Sequence, residues 1–583
     1  MTHTFEVWAP RPESVQLWVD GVTHTMSPRD GGWWSATVPA AAEARYGFLL
    51  DGDPTVIPDP RSPRQPDGVH APSQLWAADR HSETGASSAD RENRWRGREL
   101  EGSVVYELHV GAFTPEGTFD AAIGRLDHLV DLGVGFVELM PVNGFNGVHN
   151  WGYDGVLWYA VHEPYGGPDG LVRFIDAAHA RGLGVLIDAV YNHLGPSGNY
   201  LGRFGPYEAE GANTWGRTIN IAGPGSDEVR EYILGSAVRW LRDFGADGLR
   251  LDAVHALADT TAVHILEESA ERTEVLSGQL GRPLHLIAES DLNDPRLVTP
   301  RERGGYGLAA QWDDDMHHAV HTIVSGERQG YYRDFGSAAC LSTVLREGFF
   351  HAGTHSSFRG RRHGRRIDPA VVRGSQLLAY TCTHDQVGNR ATGDRPSAYL
   401  TPGQLAVKAA LVLFSAFTPM LFMGEEWGAA TPFQFFTSHP EPELARRTAK
   451  GRIAEFVEHG WPEGDVPDPQ DPGTFAASKL DWSERDREPH ARLLATYRDL
   501  LAFRGTHPEV TASDLRSVRT EYPDDESWFA VHRGPFTLVV NFTPAPVTAP
   551  FGGEPLLWWD APSAGPERTT VPGHSFAVLR TAR

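Results

Sequence analysis

The sequence predicts an α/β protein whose central part is a (β/α)8 barrel, with a β-sandwich domain on either side. Two observations carry this prediction. Apolar strand-like segments alternate with helical segments in the middle of the chain, and both ends consist of short strand-like segments separated by turn-forming residues. At 583 residues the chain is too long for a single hydrophobic core. We therefore expect three domains, over residues 1–95, 96–509 and 510–583.

Both ends of the chain show the pattern of a β-sandwich. The predicted strands are Phe5–Pro10, Val15–Val19 and Tyr46–Leu50 at the start, and Trp528–His532, Phe536–Asn541 and Leu556–Trp559 at the end. Gly31–Gly32 and Asp51–Gly52 predict hairpin turns. A proline-rich stretch at Ile57–Pro66 and a polar stretch at His81–Arg98 then mark the crossing to the central domain.

The central part contains eight apolar segments, the strand number of a (β/α)8 barrel. These predicted strands are Val104–Val110, Phe136–Pro141, Gly184–Val190, Gly248–Ala253, His285–Ala288, Leu308–Trp312, Leu377–Cys382 and Met420–Met423. Helical periods between them are Phe119–Leu132, Leu171–Arg181, Asp227–Phe244 and Gln404–Phe417. We expect Asp227 to cap its helix and Gly245 to end it.

Composition excludes several classes of function. The formal net charge of −24 argues against nucleic acid and anionic membranes as partners, because the long-range field repels them. The first residues show no secretory signal pattern, and no run of eighteen apolar residues predicts a membrane span. Cys340 and Cys382 are the only cysteines, which favours a reducing cytoplasm over a disulfide framework.

Polar clusters follow four of the predicted barrel strands, where barrel enzymes place their chemistry. They are Leu186–His193, Gly248–His255, Leu286–Asp291 and Cys382–Asn389. Arg250 and Asp252 point to the same side of a strand, and the guanidinium favours an ionised, nucleophilic carboxylate. Glu289 ends an apolar strand, where partial drying raises the pKa of a carboxyl group toward that of a usable acid. One such cluster alone would suggest a helix cap or a surface group, but four in successive barrel order predict a glycoside-cleaving site.

These four segments resemble the four short conserved regions of the α-amylase superfamily (glycoside hydrolase family thirteen). The resemblance implies that Asp252 is the nucleophile, that Glu289 is the general acid/base, and that Asp385 stabilises the oxocarbenium-like transition state. It also implies supporting roles for His193, Arg250 and His384 around the same sugar ring. Double displacement in such enzymes predicts a separation of about 5–5.5 Å between nucleophile and acid.

Further segments are similar to one family within that superfamily, the maltooligosyltrehalose trehalohydrolases. These segments are Val7–Pro10, Tyr106–Phe119, Asn192–Leu201, Ala288–Pro295, Gln311–His318, Gly326–Tyr332 and Met423–Gly428. The resemblance runs along the whole chain and implies cleavage of the α-1,4 bond next to a terminal trehalose unit, with release of trehalose. The expected partners are the substrate maltooligosyltrehalose and, functionally, the synthase that makes it.

The resemblance also implies a set of substrate-binding residues. They are Arg250, Leu251, Ala253, Val254, His255, His193, Asp314, Asp315, His317, His318, His384, Gln386 and Asn389, to which Trp215 and Tyr332 are added because of their position in or near barrel loops. The alternative for the acidic run at Asp314 and Asp315 is a helix N-terminus, where carboxylates complement the helix dipole. Trp151, Trp215, Tyr331, Tyr332 and Phe358 lie in or near barrel loops and suit either sugar stacking or loop packing.

No cofactor and no metal are expected. Many amylases bind calcium through an asparagine equivalent to Asn192, but the trehalose-releasing members work without it, and further ligands are not assignable here. Two other functions remain open at this point. The same machinery serves α-glucan transferases such as branching enzymes, and a non-catalytic glucan-binding protein would have no chemical need for all three of Asp252, Glu289 and Asp385.

Overall fold

A computed structural model describes residues 2–77, 95–213, 215–458 and 462–581. Its centre is a closed barrel of eight parallel strands, in the spatial order β8-β9-β12-β15-β16-β17-β20-β21. These strands are β8 (Val105–Leu108), β9 (Phe136–Leu139), β12 (Gly184–Ala189), β15 (Gly248–Leu251), β16 (His285–Ala288), β17 (Ala310–Trp312), β20 (Leu377–Tyr380) and β21 (Thr418–Phe422). The predicted fold class and all eight predicted barrel strands are therefore confirmed. Six strands are shorter than predicted, β16 has the predicted bounds, and β21 begins two residues earlier and ends one residue earlier than predicted.

The α-helices of the described residues lie mainly between and around the barrel strands. They are α1 (Val110–Phe113), α2 (Phe119–Ile123), α3 (Leu126–Leu132), α4 (Gly167–His179), α5 (Leu201–Phe204), α6 (Ser226–Val238), α7 (Ile265–Leu280), α8 (Asp314–Ser325), α9 (Ala338–Glu347), α10 (His384–Gly388), α11 (Pro402–Leu413), α12 (Pro442–Glu458), α13 (Pro472–Ala477), α14 (His490–Thr506) and α15 (Pro508–Thr511).

Two helix predictions need correction. The segment Phe119–Leu132 forms two helices, α2 and α3, because the helix is interrupted at Gly124. Asp227 does not cap α6: the helix begins at Ser226 after Gly225, and Asp227 lies in its first turn, where it complements the helix dipole. The same helix continues through a π-helical turn at Arg239–Asp243. It then ends at Gly245, whose positive φ of 81° suits glycine, as predicted.

Side chains inside the barrel form an apolar level and a polar level. Val105, Phe136, Leu186, Ile287 and Met420 belong to a buried inner cluster near the amino ends of the strands. Two residues further along three of these strands stand Glu107, Glu138 and Asp188, which share the inward face because side chains alternate along a strand. The barrel thus changes from apolar to charged toward the carboxyl ends of its strands, where the loops begin.

The N-terminal strands form two facing sheets, β1-β5-β4 and β3-β2-β6-β7. Their bounds are β1 (Thr2–Trp8), β2 (Val15–Val19), β3 (Val22–Thr25), β4 (Ser27–Arg29), β5 (Trp33–Pro39), β6 (Arg45–Leu50) and β7 (Ser73–Gln74). Aromatic residues of this region pack on the barrel domain: the Trp8 ring lies 5.1 Å from Tyr207, and Trp76 stacks on Phe244 at 5.3 Å. These tryptophans therefore serve the interface between the domains. Most of the polar stretch His81–Arg98 lies outside the described residues.

The C-terminal strands form a five-stranded antiparallel sheet, β22-β23-β24-β29-β26, and a three-stranded sheet, β25-β28-β27. Their bounds are β22 (Arg519–Glu521), β23 (Trp528–Arg533), β24 (Phe536–Asn541), β25 (Val547–Ala549), β26 (Glu554–Trp558), β27 (Ser563–Ala564), β28 (Thr569–Val571) and β29 (Ser575–Arg580). Trp528, Val539 and Leu579 belong to the hydrophobic cluster of this region. The arrangement agrees with the predicted sandwich, and we retain 1–95, 96–509 and 510–583 as the proposed domain limits.

Three hairpins extend the loops after barrel strands and border the carboxyl end of the barrel. They are β10 (Asn143–Gly144) with β11 (Leu157–Val161), β13 (Glu208–Asn213) with β14 (Gly216–Ile219), and β18 (Thr354–Ser356) with β19 (Arg361–His363). Within the described ranges, no helix is long and apolar enough to cross a membrane. Cys340 and Cys382 are both buried and unpaired.

Asp247, directly before β15, joins several elements at the amino end of the barrel. Its fully buried carboxylate accepts hydrogen bonds from Trp95 Nε1 (2.7 Å), His179 Nε2 (2.8 Å), Arg282 Nη1 (2.6 Å) and the Val185 main-chain N–H (2.9 Å). The Asp247→Ala substitution removes the acceptor that these donors share.

We predict that Asp247→Ala lowers the free energy of unfolding by about 3–5 kcal/mol, because buried cationic donors lose their counter-charge. Chemical denaturation followed by circular dichroism measures the change. Asp120→Ala is the control, since Asp120 pairs with Arg173 at an exposed site and its loss costs less than about 1 kcal/mol. Equal effects of the two substitutions would contradict the prediction.

Candidate active site

Arg250 connects the carboxyl ends of three adjacent barrel strands. Its Nη1 lies 2.9 Å and 3.0 Å from the two carboxylate oxygens of Asp188 and 2.6 Å from Asp252 Oδ1. Its Nη2 lies 3.7 Å from Glu289 Oε2. The Arg250 side chain is only 1% exposed, and its guanidinium carbon lies 4.4 Å from the ring centroid of Trp312. One buried cation therefore faces three carboxyl groups.

Asp252 follows β15 and is held through both carboxylate oxygens. Oδ1 accepts the hydrogen bond from Arg250, and Oδ2 accepts one of 2.7 Å from Asn192 Nδ2. The Asp252 main-chain carbonyl also accepts a 2.9 Å bond from Asn192 Nδ2. The side chain is 13% exposed, so it is accessible from the loop end of the barrel while its orientation is fixed.

Glu289 follows β16 beside Asp252. Its Oε2 accepts a 2.6 Å hydrogen bond from the Ala253 main-chain N–H. Burial raises the pKa of Glu289 to about 8, and the negative charges of Asp252, Asp385 and Asp314 act in the same direction against the opposing charge of Arg250. Glu289 is therefore mainly protonated at neutral pH, the state that a general acid needs.

The contact to Glu289 depends on an unusual backbone conformation at Ala253. This residue is left-handed, with φ 39° and ψ 51°, which is uncommon and unfavourable for a residue with a β-carbon. The conformation directs the Ala253 N–H to Glu289 while Val254 N donates to the Glu289 main-chain carbonyl. Nothing in the amino-acid type at position 253 indicates this role.

Asp385 lies in the first turn of α10, which begins after a capping box formed by Thr383 and Gln386. Its side chain is 39% exposed, the most open of the three carboxyl groups. His384 Nε2 lies 3.5 Å from Asp385 Oδ1, and Asn389 Nδ2 donates to the same oxygen at 3.3 Å. The structure thus places Asp385 at the same end of the barrel, facing into the region that contains Asp252 and Glu289.

His384 is held between acidic groups at the carboxyl end of the barrel. Its Nδ1 lies 2.5 Å from Glu107 Oε1, and its Nε2 lies 2.8 Å from the Tyr153 hydroxyl. Burial alone would lower the pKa of His384, but the charges of Asp385 and Glu107 raise it to about 9. Tyr153 donates in turn to Asp188 Oδ2 at 2.7 Å. A continuous network therefore joins Asp385 to Arg250 and Asp252.

Several predicted substrate-binding residues have their polar atoms committed elsewhere. Asp315 Oδ2 accepts bonds from Asn293 Nδ2 and from the main-chain N–H groups of Phe350 and His351, at 2.8–2.9 Å. His317 uses Nδ1 on the Thr381 carbonyl and Nε2 on the Tyr332 hydroxyl. All three side chains are used in packing and loop attachment, and the expectation that Asp315, His317 and Tyr332 face the substrate stays a prediction.

Other predicted contacts stand at buried or internally hydrogen-bonded positions and stay predictions. Leu251 and Val254 are buried in the main hydrophobic core outside the barrel, since Leu251 alternates with the inward-facing Arg250. Gln386 uses its carbonyl oxygen in the capping box of α10. Trp151 is 4% exposed and stacks on Phe433, so it belongs to the core.

A second group of predicted residues does line the opening of the barrel. Trp215, directly before β14, is 50% exposed. Its ring stacks on the His193 ring with 6.0 Å between centroids, and its centroid lies 6.3 Å from that of exposed His255. Asp314 accepts a 2.5 Å bond from the Tyr380 hydroxyl. Burial raises the Asp314 pKa to about 7, to which the charges of Asp291 and Asp385 contribute.

The remaining aromatic residues form the outer edge near α8. The His318 ring stacks on Tyr331 at 4.8 Å, and Tyr331 meets Phe358 edge to face at 6.0 Å. Tyr331 is 40% exposed and Phe358 51% exposed. Asp313 caps α8 through a bond to Met316 N, so the acidic run is a helix N-terminus as well as part of the site edge.

Sequence reasoning missed Glu107, Glu138, Asp188 and Tyr153 as parts of the site network. A signal existed for the first three, since each is a carboxylate within an otherwise apolar strand, as Arg250 is a cation within one. Glu138 is buried with neither carboxylate oxygen hydrogen-bonded, and burial beside Glu107 raises its pKa well above the ordinary value. Tyr153 stands in a loop, where no pattern indicates it.

The polar side-chain atoms of Asn192 are both used within the protein. Its amide nitrogen is used on Asp252, and its oxygen lies 2.5 Å from His193 Nδ1. Across the part of the chain that the structure describes, no group of three or more His, Cys, Asp or Glu side chains is arranged to hold a metal ion. The absence of a metal requirement stays a prediction.

Comparison with known proteins agrees with this geometry. Residues 78–212 match the family model described as alpha amylase, catalytic domain, and residues 513–578 match a domain of unknown function, DUF3459. The chain is similar to a malto-oligosyltrehalose trehalohydrolase of Mycobacterium tuberculosis, with 62% identity over 99% of both chains. It is also similar to one of Arthrobacter ramosus, with 56% identity over 100% of both.

Solved structures give the same result for the fold. The crystal structure of a protein described as an alpha amylase from Salmonella typhimurium matches with a TM-score of 0.90 and 36% identity, over 100% of this chain and 98% of the other. A pullulanase from Anoxybacillus sp. LM18-11 shares the fold, with a TM-score of 0.71 and 17% identity over 100% and 86% of the two chains. The chain therefore belongs to the malto-oligosyltrehalose trehalohydrolase family, whose catalytic domain is that of the α-amylase superfamily.

Proposed function

We propose that this glycoside hydrolase cleaves the α-1,4-glucosidic bond next to the terminal trehalose of maltooligosyltrehalose and releases trehalose. The observation that carries the chemistry is the neighbouring pair Glu289, whose pKa burial raises to about 8, and Asp252, whose two carboxylate oxygens Arg250 and Asn192 hold in place. A retaining glycosidase needs such a pair. The names of relatives that are similar over the full length supply the specificity for trehalose release.

The proposed reaction has two displacements. Glu289 gives its proton to the glycosidic oxygen while an Asp252 oxygen bonds to the anomeric carbon, and trehalose leaves with that proton. Glu289, now ionised, removes a proton from water as the water oxygen attacks the anomeric carbon and the bond to Asp252 breaks. Two inversions return the original anomeric configuration. The predicted nucleophile–acid separation of about 5–5.5 Å stays a prediction of this scheme.

Asp385 is proposed to bind the distorted sugar and to stabilise positive charge that develops at the anomeric carbon. Its open position suits contact with the ring, and His384, which carries positive charge at neutral pH, stands beside it. The proposed substrate contacts are exposed Trp215, His255 and Asn389, together with His318, whose Nδ1 has no partner, Asp314, and His193, which is buried beside Trp215.

We further propose that the enzyme works in the cytoplasm and receives its substrate from the synthase that forms maltooligosyltrehalose. Two buried, unpaired cysteines fit a reducing compartment.

The first test uses maltotriosyltrehalose, maltopentaose and short-chain amylose. We expect free trehalose from the first, slow attack on the second and no new α-1,6 branches on the third.

Asp252→Asn, which keeps the shape of the side chain, is expected to lower kcat by at least about 10³-fold because the nucleophile is lost. Asp243→Asn, at the end of the α6 region and away from the site, is the control. New branches, or full activity of Asp252→Asn, would overturn the proposal.

The second test is the pH dependence. Glu289 has a raised pKa of about 8 and acts first as an acid, so kcat/KM for maltotriosyltrehalose should fall as the pH rises through about 8. Glu289→Gln should be nearly inactive on this substrate. It should keep glycosylation by an α-maltosyl fluoride, because fluoride leaves without a proton. If an active Glu289 variant loses kcat/KM at high pH in the same way as the wild-type enzyme, Glu289 is not the general acid.

The third test concerns the backbone at Ala253. Ala253→Gly adopts the left-handed conformation without strain and should retain activity and stability. Ala253→Val resists this conformation and should displace the N–H from Glu289, lowering kcat by about tenfold or more. Steady-state kinetics and melting temperatures of both variants separate these outcomes, and equal kcat values would contradict the predicted role of the N–H group.

A further inference from the structure

We propose that Asn192 is a positioning residue for the nucleophile: its side-chain amide fixes the Asp252 carboxylate for attack. This inference rests on the proposed role of Asp252. It assigns to Asn192 a task within the protein in place of cation binding.

Asn192 contacts both the side chain and the main chain of Asp252. Asn192 Nδ2 lies 2.7 Å from Asp252 Oδ2 and 2.9 Å from the Asp252 main-chain oxygen. Because one amide group bonds to both the side chain and the main chain of Asp252, it restricts the rotation of the carboxylate relative to the backbone. Asn192 is 1% exposed, so water does not compete effectively for these bonds.

The orientation of the amide follows from its neighbours. Both Asp252 atoms are acceptors in the nucleophilic state, so the NH2 end of Asn192 must face them. The amide oxygen then faces His193 Nδ1 at 2.5 Å, and His193 Nε2 lies 3.0 Å from the Tyr153 main-chain carbonyl, so both ring nitrogens face an oxygen acceptor. A reversed amide would oppose two acceptors with an acceptor. The two Asp252 acceptors therefore fix Asn192 in the donating orientation, and the neighbouring His193 ring stacks on Trp215.

Arg250 and Asn192 hold the two oxygens of Asp252 with donors of different charge. Arg250 places a cation on Oδ1, and Asn192 places a neutral donor on Oδ2. Asp252 loses its negative charge when it bonds to the anomeric carbon, so a cation on each oxygen would stabilise the ground state more than the transition state. A neutral amide orients the carboxylate and stabilises its ground state less than a second cation would.

The test compares Asn192→Asp and Asn192→Ala with the wild-type enzyme. Asn192→Asp has almost the same shape but cannot donate when ionised, so a packing role predicts retained activity and a donor role predicts loss. We expect kcat/KM for maltotriosyltrehalose to fall by about 10- to 100-fold in both variants, as for a lost hydrogen bond to a charged group. We also expect the acidic limb of the pH profile to move to higher pH in Asn192→Asp.

An α-maltosyl fluoride substrate identifies the affected step. The Asn192 variants should remain slow on it, because the defect lies in the nucleophile, whereas Glu289→Gln should recover glycosylation. Asn541→Asp is the matched control. Asn541 is a fully buried amide in the C-terminal sheet that donates to the carbonyls of Ala545, Val571 and Pro572. Its variant should lower the melting temperature and leave kcat/KM unchanged below that temperature.

Retention of kcat/KM within twofold in folded Asn192→Asp would overturn the inference. If Asn192→Asp does not fold, Asn192→Ala gives the same decision through its rate on the fluoride substrate. Failure of the proposed function is distinguishable, because wild-type enzyme would then release no trehalose or Asp252→Asn would remain active. If Asp252→Asn loses activity while the Asn192 variants keep full activity, only the positioning role of Asn192 is rejected.

Discussion

The buried guanidinium of Arg250 is the constraint on which the rest of the site depends. It is surrounded by Asp188, Asp252 and Glu289, and a single positive charge in a poorly solvated interior does not keep three carboxyl groups ionised. Burial raises the pKa of Glu289, the member at the longest distance from the guanidinium, to about 8, and that of Asp188 to about 7. Acid and nucleophile thus have different surroundings within one arrangement of charges, although both are carboxyl groups at the ends of neighbouring strands.

The barrel makes that arrangement tolerable by separating its apolar and charged levels. Phe136, Leu186 and Met420 fill the lower level, and this packing gives the closed sheet its stability. Among the inward-facing residues, Glu107, Asp188 and Arg250 stand above it with hydrogen-bonding partners, and Glu138 stands there with neither carboxylate oxygen hydrogen-bonded. The second cation of the interior, His384, balances Glu107 and Asp385. The alternation of side chains along short strands therefore determines both where the core lies and where the reactive groups emerge.

The sequence was sufficient for the barrel and for the residues at its strand ends, because both follow from local patterns. A period of two places Arg250 and Asp252 on one face, and successive parallel strands bring their ends together. Loop contacts were not predictable in this way. Asp315 and His317 look like site residues in the sequence, but Phe350, His351 and Thr381 return from distant parts of the chain to use their polar atoms. The left-handed Ala253 and the orientation of Asn192 likewise depend on neighbours that no local pattern shows.

The attachment of the chain after β17 has a consequence for how such enzymes diverge. Asp315 ties α8 to the backbone at Phe350 and His351, and Arg359 pairs with Asp291 at 2.5 Å. The long excursion that carries Tyr331 and Phe358 is thus anchored at a few points, none of which is a reacting group. Substitutions in this segment can change the outer edge of the opening, and with it the range of substrate chains that fit there. Asp252 and Glu289, at the ends of β15 and β16, stay unchanged.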